Sequence, residues 1–378
     1  MPLPDHELSL IVDGKRFGGW LDVRVTRGIE RASADFAIKA TQRWPGQDER
    51  FEVPEGSKCE IRIGDDLVMT GYVDVIDIDR DQDNAAIEIA GRSKTCDLVD
   101  CSPPFDMTEL AGLDLAAVAR RVAKPFGVEV VAKDTGPVFA VAAAHHGETA
   151  WKLIERLARQ RQILVMDDEQ GRLVLARLAT ERSTDEIVHP SDALKKLKTR
   201  RDASKRFSEY VVKAQAGRRW LGGTSDGSQG DVASALAHVE GAAHDTGVTR
   251  YRPKTVLSEG AAKKEGAMAR AEWEARRNKG QALGFTALRV GWRQSDKKLW
   301  VPNLLVPCKA PLMKLEAELA LSEVTYRKGA EGTLCEMSLA PPDAFTPEPP
   351  EAPAQAGGDV GNRWARAGDG QVGGGGQG

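Results

Sequence analysis

Gly71–Cys101 reads GYVDVIDIDRDQDNAAIEIAGRSKTCDLVDC. Its first half alternates, with Val73, Val75 and Ile78 set against Asp74, Asp77 and Asp79. Asp81-Gln82-Asp83-Asn84 supplies a polar turn, and Ile87 and Ile89 carry the pattern back. Period-two alternation on both sides of a turn predicts an antiparallel hairpin buried on one face. The same stretch imitates a calcium loop, with Asp77, Asp79, Asp81 and Asp83 at alternate positions and Glu88 at the twelfth. Such a loop needs glycine at its sixth position and helical flanks. Gln82 stands there and the flanks are strand-like. The acids are therefore expected to form the outer face and turn of a hairpin, without metal.

Outward from this hairpin, residues 1–105 read as short strands. Leu8, Leu10 and Val12 alternate before Asp13-Gly14; Phe17 and Trp20 follow across Gly18-Gly19, then Val23 and Val25, Phe36 and Ile38, and Ile61 and Ile63. Short strands at close spacing predict a sandwich or small barrel. The period changes at residue 106. Leu115, Val118, Ala119 and Val122 mark a helix that ends before Pro125 and Gly127, and Trp151, Ile154, Leu157 and Ala158 mark another. A short strand at 128–131 and a hairpin at 163–175 complete a small α+β module over residues 106–184. Strands resume in 185–345 with Tyr210 and Val212, then Leu288, Val290 and Trp292, then Leu315–Leu321 and Leu334–Leu339. Within this region 217–247, rich in Gly, Ala and Ser, predicts a long loop, and 258–279 predicts a charged helix around Trp273. Residues 346–378 turn Pro-rich and then Gly-rich and are expected to be disordered. The fold class is thus α+β, mainly β: two strand-rich domains flank a small mixed module, with a charged helix in the C-terminal half.

The bulk properties exclude several functions. In 378 residues, 41% hydrophobic and 29% charged, no apolar run approaches a membrane span. The opening MPLPDHELSL lacks the basic and apolar regions of a signal peptide. Five scattered cysteines, Cys59, Cys96, Cys101, Cys308 and Cys335, suit reduced thiols. Neither the pair Cys96 and Cys101 nor His145-His146 has the partners a structural metal site needs, so no cofactor is expected. Net charge is −3, and the one basic run, Lys195–Arg206, has no interleaved aromatics, which argues against specific nucleic-acid binding. There is no G-x-S-x-G elbow and no phosphate-binding P-loop, so no enzyme is predicted.

A chain of short fragments runs through these regions: Gly18-Gly19-Trp20 and Arg27–Ala32; Gly71-Tyr72 and Gly91-Arg92-Ser93; Gly147–Ala150; Arg206–Tyr210; Ala271–Ala275; Val290-Gly291-Trp292; and Leu299–Asn303. Their order resembles the baseplate hub proteins of Mu-like contractile-tailed phages, which are related to the spike-base proteins of type VI secretion. The resemblance implies two β-barrel-like domains, 1–105 and 185–345, around the 106–184 module. It further implies a homotrimeric ring that adapts a sixfold tail tube to a threefold spike. Its partners would be itself, the tail tube protein, the central spike, and other baseplate and tape-measure proteins. Its place would be the virion tail baseplate, assembled in host cytoplasm. Trp20, Arg92, Asp97, Trp292, Trp300 and Asn303 are candidate core or interface residues, with Arg92 and Asp97 close enough in sequence for an internal ion pair. The alternative is a tail protein that binds or degrades peptidoglycan through the 106–184 module.

Overall fold

The computed structural model describes residues 6–41, 53–80, 85–104, 110, 112–139, 142–215, 238–261 and 264–349. The first region gives β1 (Leu8–Val12), β2 (Lys15–Phe17), β3 (Asp22–Gly28), β4 (Asp35–Thr41), β5 (Lys58–Ile63), β6 (Asp66–Arg80) and β7 (Ala85–Ser93). The middle gives α1 (Cys96–Asp100), α2 (Leu115–Ala123), β8 (Val130–Ala132), α3 (Ala150–Arg159), β9 (Leu164–Asp167) and β10 (Leu173–Ala176). Then come β11 (Glu181–Arg182), β12 (Ile187–Val188), β13 (Leu194–Arg201), β14 (Glu209–Gln215), β15 (His238–His244) and β16 (Pro253–Ala261). The last elements are α4 (Lys264–Gln281), β17 (Leu283–Val290), β18 (Leu304–Ala310), β19 (Leu315–Gly329) and β20 (Gly332–Ala340).

The hairpin is present: β6 and β7 pair antiparallel, with Asp77 opposite Glu88 and Ile78 opposite Ile87. Its turn, 81–84, lies outside the described residues. The alternation breaks at one point, where a register shift between Val73 and Val75 puts Asp74 in a bulge. A one-residue bulge moves every later side chain to the opposite face. Val73 is therefore buried, Val75 is exposed, and Ile76 packs on the core in its place. Glycines let the strands approach here. A Cβ at Gly71 would lie 1.9 Å from the Arg92 carbonyl oxygen, and one at Gly91 would lie 2.1 Å from that of Tyr72.

Among the described residues, the strands of both β-rich regions other than β14–β16 join in one 14-stranded sheet, ordered β13-β17-β20-β19-β3-β4-β7-β6-β5-β1-β2, with β18 on β19 and β11 and β12 on β18. The expectation of two β-barrel-like domains is not confirmed: among the described residues the sheet is open, and β19 pairs directly with β3. One core runs through both halves, with Val25, Phe36, Ile38 and Ile61 from the first and Trp292, Trp300, Tyr326 and Met337 from the second.

A repeat invisible in the sequence appears in the topology. The first half stacks as β3-β4-β7-β6-β5 and the second as β13-β17-β20-β19-β18, the same order in the same chain sequence. β6 and β19 each have 15 residues, and β7 and β20 each have 9. Both long strands carry a register shift at the corresponding point, Val73/Val75 in β6 and Leu321/Glu323 in β19.

Between the two units, α2 and α3 cover the small sheet β8-β10-β9, and Leu115, Val118 and Val122 pack with Trp151, Ile154 and Leu157. The helix starts follow from capping: Asp114 accepts from the Ala117 amide at 2.7 Å and Thr149 from that of Lys152 at 3.3 Å. A third sheet, β15-β14-β16, carries α4 through Val212, Ala267 and Ala271. Two expectations change here. The predicted loop 217–247 contains strand β15 at its end, while its remainder through residue 237 lies outside the described residues. The predicted helix 258–279 starts later, at Lys264, because residues up to Ala261 pair in parallel with β14. Trp273 donates to the Thr346 carbonyl at 2.8 Å and Ala344 is buried, so residues 342–346 are fastened to α4. The expectation of disorder after 346 otherwise concerns residues 350–378, outside the described residues.

Candidate functional site

The β19–β3 joint is the seam between the two units. Glu323 stands opposite Gly28, Thr325 opposite Thr26, Tyr326 opposite Val25 and Arg327 opposite Arg24. On the outer face Arg31 bonds Glu323 at 2.6 Å and also pairs with Asp35, which Arg24 reaches at 3.3 Å. The directly opposed Arg327 and Arg24 are each neutralised by a neighbour, Arg327 by Glu336 at 3.0 Å and Arg24 by Asp35.

On the inner face Tyr326 is fully buried and donates its hydroxyl to the Trp300 carbonyl. Trp292 meets the Tyr326 ring edge-on, centroids 6.2 Å apart, and donates its indole N–H to Leu334 O at 2.9 Å and Arg327 O at 3.2 Å. Trp300 is also fully buried; the Arg289 guanidinium lies 5.2 Å from its ring, and its Nε1 has no acceptor among the described residues. Asp185 accepts from Arg289 at 2.8 Å. Burial opposes ionisation of Asp185, but the bonds from Ser295 and Arg289 outweigh it and hold its pKa below the ordinary value. Trp20 is buried in the same core.

Asn303 lies elsewhere, at the junction with the middle module. It adopts a left-handed backbone (φ 70°), and its side chain accepts from Ala179 N at 2.7 Å and donates to Arg177 O at 3.0 Å. It lines a cleft of about 250 Å3 shared with Arg27, Asp167, Glu169 and Arg172. Asp167, at the end of β9, is buried and accepts from the Ala34 amide at 2.8 Å. Burial pushes its carboxyl above the ordinary value, against the pull of Arg27 and its hydrogen-bond donors. The β9–β10 turn also docks on β6, where Thr70 donates to Glu169 O at 3.1 Å. These contacts bind the module to both units.

Arg92 bonds Asp74 at 2.7 Å and Asp100 at 2.9 Å, in place of the expected Asp97. Asp97 sits in the first turn of α1, whereas Asp100 ends that helix and reaches back over the bulge. The structure therefore gathers Trp292, Trp300 and Trp20 in one core and leaves Arg92, Asp97 and Asn303 at separate points. Sequence reading missed Arg31, Glu323, Tyr326 and Asp167. Only the strand register joins Arg31 to Glu323, 292 positions away. Among the described residues no group of His, Cys, Asp and Glu could hold a metal ion. Burial pushes the Cys59, Cys96 and Cys308 thiols up to about 12, which makes them poor nucleophiles.

Comparison with known proteins bears on what this arrangement serves. Residues 7–93 match the family described as Mu phage baseplate assembly protein GpP-like, N-terminal. Residues 95–177 match baseplate hub protein gp44-like, second domain, and 263–348 match Mu phage baseplate assembly protein GpP, fourth domain. Over 348 residues the chain is 34% identical to the baseplate hub protein gp44 of Escherichia phage Mu, covering 90% of this chain and 89% of that one. Among solved structures, the 43 kDa tail protein of prophage MuSo2 from Shewanella oneidensis matches with a TM-score of 0.78 at 30% identity, covering 91% of this chain and all of that one. The tail protein from Neisseria meningitidis MC58 shares the fold, with a TM-score of 0.73 at 20% identity over 90% of this chain and 98% of that one.

Proposed function

Since the chain belongs to the baseplate hub family of Mu-like phages, we propose that three copies close into a ring that seats a sixfold tail tube on one side and a threefold spike on the other. The observation that carries this reading is the five-strand unit present twice in one chain. Three copies then present six similar units around one axis, which reconciles the two symmetries without a second protein. A heterologous contact that closes on itself is the arrangement such a ring requires. Residues 1–105 and 185–345 supply the ring units, and 106–184 braces them through Asp167 and Asn303. The buried Trp20, Trp292 and Trp300 serve the core of the ring rather than its partners. The role is structural, in the virion tail baseplate, with assembly in host cytoplasm and a tape-measure protein as a further neighbour. Light scattering on the concentrated protein tests this reading: the mass approaches three times 40.9 kDa if it holds. A persistent monomer, also single-copy in assembled tails, overturns it.

A further inference from the structure

Val23, Val25 and Arg27 share one parity of β3 and all three are buried, so the third inward position carries a charge where the first two are core. Arg27 is 6% exposed, yet its Nε–H has no acceptor among the described residues. Its Nη2 stands 3.6 Å from the Glu169 carboxylate, longer than a hydrogen bond. A guanidinium offers five donors, and one withdrawn from water without good acceptors is costly to keep. Asp167 is the other acid near it. That carboxyl is already engaged, by the Ala34 amide at 2.8 Å and by Ser93.

Arg27 lines the cleft of about 250 Å3 where the β3–β19 seam, the β9–β10 hairpin and the loop before β18 meet. One water needs about 10–15 Å3 of such space, so the cleft has room for a small organic group. Two of its other charges are matched: Arg172 bonds Asp168 at 2.7 Å, and Lys133 pairs with Glu181 at 3.4 Å. Its apolar wall has a simple origin. In the sheet β8-β10-β9, Val130, Leu173 and Val165 pack in the core that α2 and α3 cover. Val131, Val174 and Met166 stand side by side in register on the opposite face, and all three line the cleft.

We propose that the cleft binds a carboxylate carried on a short apolar body. The carboxylate takes the place beside Arg27 that Glu169 holds loosely, because a planar carboxylate matches the guanidinium fork. Glu169 is 40% exposed on the β9–β10 turn and yields by rotating toward solvent. The apolar body lies against Val131, Val174 and Met166. Burial raises the pKa of Asp167 above the ordinary value, which lessens the like charge that the incoming group meets. The lining comes from segments far apart in the chain, so the bound group fastens the middle module to the seam. The site lies within one chain and stands whether or not copies close into a ring.

Isothermal titration of the full-length chain with sodium isovalerate, at fixed ionic strength, tests this site. Isovalerate is expected to bind about tenfold tighter than acetate, because its extra carbons leave water, and to raise the melting temperature. Isovaleramide, of the same shape without the charge, is expected not to bind. Arg27→Gln is expected to abolish isovalerate binding, and Glu169→Gln, which removes the competing acid, to tighten it several-fold. Should Arg27→Gln not fold, Glu169→Gln decides alone, and binding that is unchanged or weaker overturns the site. Absence of isovalerate binding overturns it too, even where inorganic phosphate binds, since an anion without an apolar body is then what the cleft accepts. A folded Arg27→Gln chain that binds isovalerate as the natural chain does has the same consequence.

Discussion

Replacing Trp292 with alanine removes the largest side chain at the seam and tests whether the two units share one core. The indole is 2% exposed, stacks edge-on against Tyr326, and donates to two backbone carbonyls. Truncating a buried aromatic costs about 3–5 kcal/mol. Leaving the Leu334 and Arg327 carbonyls without their donor adds about 1–3 kcal/mol. Trp292→Phe separates the terms, because it keeps most of the ring and loses only the donor and some volume. We therefore expect Trp292→Ala to cost at least about 4 kcal/mol and Trp292→Phe about half as much. Urea unfolding followed by far-ultraviolet circular dichroism, at one fixed protein concentration, reads both. A loss below about 1 kcal/mol for Trp292→Ala, the range of ordinary surface substitutions, refutes the shared core.

Three further outcomes follow from the same structure. Asp167 has a folded pKa raised by burial above the ordinary 3.8, so its contribution to stability is present below that value and is lost as pH rises through the folded pKa. The stability of Asp167→Asn relative to the natural chain should therefore rise with pH above about 4, and urea midpoints that diverge the other way contradict the assignment. Ending the chain after Pro349 should leave the melting temperature nearly unchanged, whereas ending it after Pro342 should lower it by several degrees, because Ala344 and the Trp273–Thr346 bond are lost. Equal melting temperatures for the two truncations would show that this anchor contributes nothing. Isothermal titration with calcium should find no site tighter than about millimolar, since Asp77 and Glu88 are opposed on paired strands; micromolar binding abolished by Asp79→Ala refutes that reading.

The hairpin and the two helices of the module were legible because their side chains alternate or cluster with the period of the element itself. The bulge at Asp74 was not. It inserts one residue without any glycine or proline signal at that position, so Val75 reads as core and lies outside. The repeat was hidden for a related reason. Corresponding positions carry Val75 and Glu323, Asp77 and Thr325, and Ile78 and Tyr326, so no likeness of side chains marks the repeat. Pairing order conserves the shape while the facing side chains differ. The helix predicted from residue 258 shows tertiary pairing overriding local composition: Leu257 and Ala261 are held in register with β14. Sequence spacing offers Asp97 to Arg92, but its partners, Asp74 and Asp100, depend on the bulge and the length of α1, neither of which spacing reveals. Nothing in the sequence spacing around Asn303 marks it apart from the resemblance. Its left-handed backbone and its two bonds to the Arg177–Ala179 segment are what give it a physical role.

The most direct measurement of the central claim is an electron cryo-microscopy reconstruction of the assembled tail, computed without imposed symmetry. The account predicts three copies of this chain in a closed ring on the tail axis, between tube and spike. Six copies, a single copy, or density lying off the axis at the periphery of the baseplate would contradict it.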